Sequence, residues 1–188
     1  MKWTKKDRDE LLKYKKILDD DNTKLKEEIK ARLVGNKYII HVLHNLELEK
    51  QDAEPDDYFG INIRPAFIIP ETQTNVQNYI CFETSFKETS WRNNHITKEQ
   101  QIIFYILCHE KNYIDEETGM ARHDLLAALI SNEFNHKVLS GGRIRLESDI
   151  ASITDTQYLT RTLTFIMNTD ANLVKTENGV TGFVNHKV

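Results

Sequence analysis

The chain has 188 residues, and its length, composition and charge exclude several classes of protein. This length suits one domain with an appendage and not two full domains. Charged residues make up 29% and hydrophobic residues 39% of the sequence, which excludes a low-complexity chain. The formal net charge of −4 argues against a dedicated nucleic-acid binder, and no apolar run approaches the roughly 18 residues that predict a membrane span. The N-terminus has no apolar stretch typical of a signal peptide, and Cys81 and Cys108 lie in apolar runs that fit a reducing environment.

The spacing of apolar residues predicts helices mainly in the first part of the chain and strands in the remainder. Apolar residues recur at helical spacing in the first segments and at every second position in several later ones. The predicted helices span residues 4–18, 23–34, 37–45 and 122–134. The predicted strands span residues 61–69, 80–86, 101–110, 143–147 and 159–167. A further edge strand is predicted at 179–184. A loop is expected at 46–60.

Strands cluster along the sequence instead of alternating with helices, which indicates an α+β fold. We expect a mainly antiparallel sheet flanked by one or two helices, with an N-terminal helical arm. The expected parts are a basic helical arm at 1–22, an α+β domain at 23–170 and a C-terminal tail or edge strand at 171–188. Pro65 marks its strand as an edge strand, because proline cannot donate a backbone hydrogen bond. The predicted core consists of Phe82, Phe104, Ile106, Leu129, Leu146, Leu163 and Phe165, with the helix at 122–134 packed across the sheet.

One cluster of polar residues is a candidate for catalytic chemistry. The end of the strand at 101–110 and the start of the helix at 122–134 bring together His109, Glu110, Asp115, His123 and Asp124. These residue types bind zinc or manganese, so a metal-dependent enzyme is one interpretation. Ordinary loop and first-turn residues are the other, because the spacing matches no H-E-x-x-H motif. Cys108 lies inside an apolar strand, where a reactive thiolate is disfavoured.

Several charged residues are candidates for contacts with other chains. Arg122 begins a helix, where a cation is electrostatically unfavourable, so we expect it to pair with Asp124, with Glu116 or with a neighbouring subunit. Arg143 and Arg145 share one face of a strand, which either binds an acidic partner or faces solvent.

The N-terminal arm is too poor in apolar residues to fold alone. We therefore expect Trp3, Leu11 and Leu12 to lie against another chain, and docking on the arm's own domain is the rival interpretation. The acidic run at 52–57 either meets the basic arm, meets a neighbouring copy or remains in solvent. The complete set of candidate interface residues is Trp3, Leu11, Leu12, Arg64, Arg122, Asp124, Arg143 and Arg145.

Four segments of the sequence carry a resemblance to a known class of proteins. They are ARLVGNKYIIHVLHN, GINIRPAFIIPETQTNVQNYICFETSF, QQIIFYILCHEKNYIDEETGMARHDLLAALISNEFN and RIRLESDIASITDTQYLTRTLTFIM. In this succession the chain resembles small neck and tail-completion proteins of tailed bacteriophages, including tail terminators. The resemblance covers about residues 31–170 and includes an Arg-x-Asp-Leu helix opening, here Arg122-His123-Asp124-Leu125.

The resemblance implies a structural virion protein of the tail or neck, present in the host cytoplasm during assembly. Its copies would form a ring, expected to be a hexamer, that ends tail-tube growth and joins the tail to the head. The implied partners are further copies, the tail tube protein and connector or other neck proteins, while DNA only passes through the lumen. No membrane, cofactor, metal or enzymatic activity is expected.

Three other functions stay open. A head-closure or connector protein of the neck belongs to the same broad class. A metal-dependent enzyme would use the cluster from His109 to Asp124. A small intracellular regulator would read DNA with the helices of residues 23–45, although the negative net charge counts against it.

Overall fold

The computed structural model describes residues 4–14, 20–68, 76–92, 95–139, 142–153, 157–170, 173–176 and 179–183. Its helices are α1 (Lys5–Tyr14), α2 (Asp20–Gly35), α3 (Lys37–Leu43), α4 (Leu46–Lys50) and α5 (Arg122–Phe134). Short 3₁₀ helices lie at Pro55–Tyr58 and Glu110–Asn112. The strands are β1 (Ile63–Arg64), β2 (Tyr79–Arg92), β3 (His95–His109), β4 (Val138–Leu139), β5 (Gly142–Ile153), β6 (Tyr158–Asp170), β7 (Leu173–Thr176) and β8 (Gly179–Phe183).

The described strands form a sheet in the order β1-β2-β3-β6-β5-β4 and a separate β7–β8 pair. The long strands β2, β3, β6 and β5 pair with their neighbours in antiparallel fashion. Short β1 pairs in parallel with β2, through Ile63 opposite Ile80 and Arg64 opposite Cys81, so the sheet is mixed. The predicted α+β class with a mainly antiparallel sheet is confirmed.

One side of the sheet, here called the helix face, packs against α2, α3 and α5 and forms the main core. At its centre the ring of Phe104 lies 5.0 Å from that of Phe134 on α5 and 5.7 Å from that of Phe165 on β6. All seven predicted core residues belong to this cluster, Leu129 and Leu146 being partly buried. The helix predicted at 122–134 has the predicted bounds and crosses the sheet as expected.

The opposite side of the sheet, here called the outer face, carries a second and smaller apolar cluster. Its buried members are Tyr79, Cys81, Leu107 and Tyr158. The chain after β1 lies on this cluster: the ring of Phe67 is 4.6 Å from that of Tyr105, and the guanidinium of Arg64 lies 4.8 Å above the ring of Tyr79. The remainder of the outer face carries mostly polar and half-exposed residues.

Two helical predictions need correction. Helix α2 begins at Asp20 and not after Thr23, because acidic residues in a first turn are favoured by the helix dipole and do not end a helix there. The loop predicted at 46–60 contains α4, whose first amides, those of Glu47 and Leu48, donate to the side chain of Asn45. Residues 15–18 of the first predicted helix lie outside the described residues.

The strand predictions differ from the structure mainly in length. The edge strand predicted at 61–69 is reduced to β1, because Pro65 directly after it cannot extend the ladder. Strands β2 and β3 continue into the stretch between the predicted strands at 80–86 and 101–110, of which residues 93 and 94 are not described. The C-terminal strand β8 pairs with β7 and not with the main sheet.

Candidate assembly surface

Strand β5 lies near one edge of the sheet. Among the described residues, only its first half has hydrogen-bonding partners along the strand edge that faces away from β6. The β4 residues Val138 and Leu139 pair with the start of β5. The amide of Ile144 then donates to the carbonyl of Lys137 at 2.9 Å, and the amide of Leu146 donates to Oδ1 of Asn135 at 3.0 Å. Beyond Leu146 no strand of the described chain pairs with this side of β5. Within the described residues, the backbone groups on this side of residues 147–153, here called the free edge, have no strand partner and are available to another chain.

The side chains of the free edge are unusual for an exposed edge strand. Ile150 is 58% exposed and Ile153 is 80% exposed. Natural edge strands are normally protected by lysine, proline, β-bulges or inward-pointing charges. The free edge has a bulge at its start and one inward-pointing charge, Asp149, which is already paired with Arg161 of β6 at 2.6 and 2.9 Å. Beyond these it combines backbone that has no described strand partner with exposed apolar side chains, which favours pairing with another strand.

An ion-pair network fixes the free edge to the helix face. The register between β5 and β6 shifts between Leu146 and Ser148, and this bulge places Asp149 opposite Leu163 on the helix face. There the guanidinium of Arg161 contacts both Asp149 and Asp124 of α5. The hydrogen bond and charge of Asp149 raise the pKa of Arg161 further above its ordinary value, ahead of the contribution from Asp124. The network therefore holds the free edge in a defined position relative to α5.

Arg122 lies inside the domain, 3% exposed. Its partner is Asp115, at 3.0 Å, and not Asp124 or Glu116 as the sequence suggested. The same guanidinium donates to the carbonyl of Val42 at 3.3 Å. Arg122 of α5 therefore links α3 to the loop that carries Asp115, between β3 and α5. Burial alone would raise the pKa of Asp115, but hydrogen bonds from Thr118 and the charge of Arg122 hold it below its ordinary value.

The other candidate interface residues lie apart from one another. On α1, Leu11 is 57% and Leu12 is 54% exposed, so neither packs into the body of its own chain; Trp3 lies outside the described residues. Arg143 and Arg145 are exposed on the outer face of β5. Arg64 donates to the carbonyl of Ile61 at 2.9 Å and is partly buried over the outer cluster.

The residues of the proposed metal cluster divide between the two faces of the sheet. The ring of His109 packs edge-on against Tyr158 at 5.3 Å, on the outer face, whereas Asp124 contacts Arg161 on the helix face. Within the described residues, no three His, Cys, Asp or Glu side chains are grouped so that they could hold a metal ion. Burial raises the pKa of the Cys108 thiol, which disfavours its thiolate. No described helix has the length and apolar character needed to cross a membrane.

Sequence reasoning missed the residues that define the free edge. Its prediction of β5 ended at 147, whereas the strand continues to Ile153. The bulge after Leu146 adds a residue, so the face that carries Ile144 and Leu146 continues at odd-numbered positions and includes Ile153, while Ile150 lies on the outer face. A strand predicted from unbroken alternation therefore ends before this segment.

Comparison with known proteins places the chain in a family. No curated protein matches the sequence. Among solved structures, it is similar to a chain of the "Virion of native gene transfer agent (GTA) particle", with 13% sequence identity and a TM-score of 0.41, covering 60% of this chain and 81% of that chain. The model of the YomW family matches residues 10–167, which include every element from α2 to β5 and most of β6. The chain belongs to the YomW family.

Proposed function

We propose that the chain is a structural virion protein of a tailed bacteriophage, which assembles into a ring at the head-proximal end of the tail. In this role it ends tail-tube growth and joins the tail to the head, with the tail tube protein and connector or neck proteins as neighbours. The phage-associated name of the YomW family and the resemblance of residues 31–170 to tail-completion proteins support this proposal. The single observation that carries it is the free edge of β5.

The free edge suits assembly because both its backbone hydrogen-bonding groups and its exposed apolar side chains would be satisfied by a partner strand. An added strand satisfies its unpaired N–H and C=O groups, and Ile150 and Ile153 lose their contact with water in the same step. If this edge meets a different surface on the next copy, the contact is heterologous, and such contacts form a ring when the rotation closes.

The proposal assigns no catalysis to the chain. His109 and Asp124, the ends of the polar cluster, are separated by the sheet, and the buried charges of Asp115 and Arg122 are paired with each other. What the surface offers is a partner for another strand and not a site for a reacting group.

Electron microscopy and native mass spectrometry of the purified protein test the proposal. We expect closed rings of several identical copies, six being the expected number. A protein that stays monomeric over the whole accessible concentration range would contradict the proposal.

Variants of the free edge test whether it makes the ring contact. Ile150→Lys with Ile153→Lys should abolish rings while leaving the circular dichroism spectrum unchanged, because both side chains are exposed. The control is Tyr38→Lys with Met120→Lys, which makes the same number of substitutions at apolar residues that are 60% and 51% exposed and lie outside β5. Rings that persist in the double variant would show that the contact lies elsewhere.

A further inference from the structure

The edge of the sheet at β5 and the β4–β5 hairpin, here called the β5 side, carries cations next to the free edge. Arg143 and Arg145 are exposed, and the pairing of Val138 with Arg143 in the β4–β5 hairpin places exposed Lys137 near them. The salt bridges of the described chain involve none of these three cations. Of the nearby carboxylates, Glu133 is already bound to Arg32 at 3.2 Å, and exposed Glu147 on β5 supplies one negative charge against the three cations. A partner that covers this side must therefore supply negative charge as well as a strand or an apolar surface.

The other side of the same domain supplies that charge. The segment from α4 through the first 3₁₀ helix holds one cation, Lys50, and six exposed carboxylates: Glu47, Glu49, Asp52, Glu54, Asp56 and Asp57. Two of them have close partners: Asp56 lies 3.4 Å from the ammonium of Lys30, and Glu49 lies 3.4 Å from the imidazole of His44. The segment leads directly into β1, so it lies at the opposite edge of the sheet from β4 and β5.

The two charged sides cannot neutralise each other within one chain. Helix α2 lies between them near its C-terminal end, where Lys30 reaches Asp56 on one flank and Arg32 reaches the carbonyl of Val138, at 3.4 Å, on the other. A second copy in the same orientation, however, brings its acidic edge to the basic edge of the first. Opposite charges on opposite edges of a sheet favour a head-to-tail contact, in which one edge of a copy meets the other edge of the next.

We propose that Arg143 and Arg145 on β5 of one copy dock on the acidic α4–3₁₀ segment of a second copy, beside the strand pairing made by the free edge. The inference rests on the proposed ring function and deepens it by naming both halves of the contact. Salt weakens the attraction, because exposed charges are screened within about 8–10 Å at ionic strengths of 0.10–0.15 M.

Charge reversal in the full chain tests this pairing. The first variant is Arg143→Glu with Arg145→Glu, the second is Glu47→Lys with Glu49→Lys, and the third combines all four substitutions. The matched control, Lys24→Glu with Lys111→Glu, makes the same change in net charge as the first variant at exposed lysines elsewhere. Sedimentation velocity at several salt concentrations measures assembly, and circular dichroism verifies that each variant is folded.

We expect each of the first two variants to associate at least about tenfold more weakly than wild type at low salt, because like charges then meet across the contact. The combined variant should regain most of the lost association, since its charges are exchanged and complementary again. The control should assemble as wild type does.

The outcomes separate this inference from the proposed function. Wild-type rings that neither charge reversal weakens, or a combined variant no better than the two separate ones, would overturn the pairing while leaving the ring intact. A wild type that remains monomeric at every salt concentration would overturn the proposed function itself.

Discussion

The two halves of β5 differ in how far the fold pairs their backbone and buries their side chains. From Gly142 to Leu146 the strand is paired on both sides, and Ile144 is fully buried in the main core. From Glu147 to Ile153 it is paired with β6 alone among the described strands, and two isoleucines face solvent. The groups of the first half are thus paired or buried within the chain itself. The second half leaves backbone and apolar groups available for contact with another chain. The comparison teaches that apolar residues in one strand can serve two different purposes.

The first way to test this contrast is to remove a side chain from the main core, to which Ile144 of the first half of β5 also belongs. Phe104→Ala should lower the free energy of unfolding by about 3–5 kcal/mol, because a fully buried ring is lost from a packed core. Denaturant titration measures the change. Ile150→Ala on the free edge is the control and should cost no more than about 0.5 kcal/mol. Equal losses in the two variants would remove the distinction between the regions.

The buried ion pair between Arg122 and Asp115 is expected to follow in size. Arg122→Met should cost about 3 kcal/mol, because it leaves the carboxylate of Asp115 buried without its partner. A double-mutant cycle with Asp115→Asn, measured by denaturant titration, should show strong coupling between the two positions. Additive effects would mean that the pair contributes little beyond its separate contacts.

The same pair predicts how stability depends on pH. The folded-state pKa of Asp115 is lower than its ordinary value of 3.8. Its stabilising contribution is therefore fully present above that ordinary value and is lost as the pH falls through the folded-state pKa. Unfolding measured from pH 5 downward should be less pH-dependent in Arg122→Met than in wild type. An unchanged dependence would show that Thr118, and not Arg122, sets the pKa of Asp115.

The network at Arg161 is expected to give a smaller effect. Its charges are partly exposed, so Arg161→Met should reduce stability by about 1 kcal/mol at most. We expect a larger consequence for the free edge, because Asp149 loses the contact that links it to α5. Amide hydrogen exchange of residues 147–153 should be faster in the unassembled Arg161→Met variant than in unassembled wild type. Equal exchange rates in the two proteins would show that the network does not position the free edge.

The sequence was sufficient to predict the parts of the fold that depend on local patterns. The stripe of apolar residues in α5 predicts its bounds, and the continuous apolar run around Phe104 and the alternation around Phe165 identify the core. Asn45 shows what the sequence does not reveal: it is predicted as the end of the preceding helix, whereas it is the N-cap of α4, a helix of five residues that is too short to show apolar periodicity.

The candidate site was harder to predict because its contacts join distant parts of the chain. Arg161 binds Asp124, 37 positions away, and Asp149, 12 positions away, and the second contact depends on the bulge in β5. Likewise, the turn in which Thr118 binds Asp115 brings that carboxylate to Arg122. Spacing alone does not indicate which of several nearby carboxylates such a turn selects.

Hydrogen exchange on the assembled protein tests the central claim most directly. Those amides of residues 147–153 that point away from β6 should be strongly protected in the wild-type ring and exchange faster in the monomeric Ile150→Lys, Ile153→Lys variant, while amides of the core strand β3 at 102–106 should be equally protected in both. Wild-type rings in which residues 147–153 exchange as rapidly as in the monomeric variant would contradict the claim that the free edge of β5 is the assembly surface.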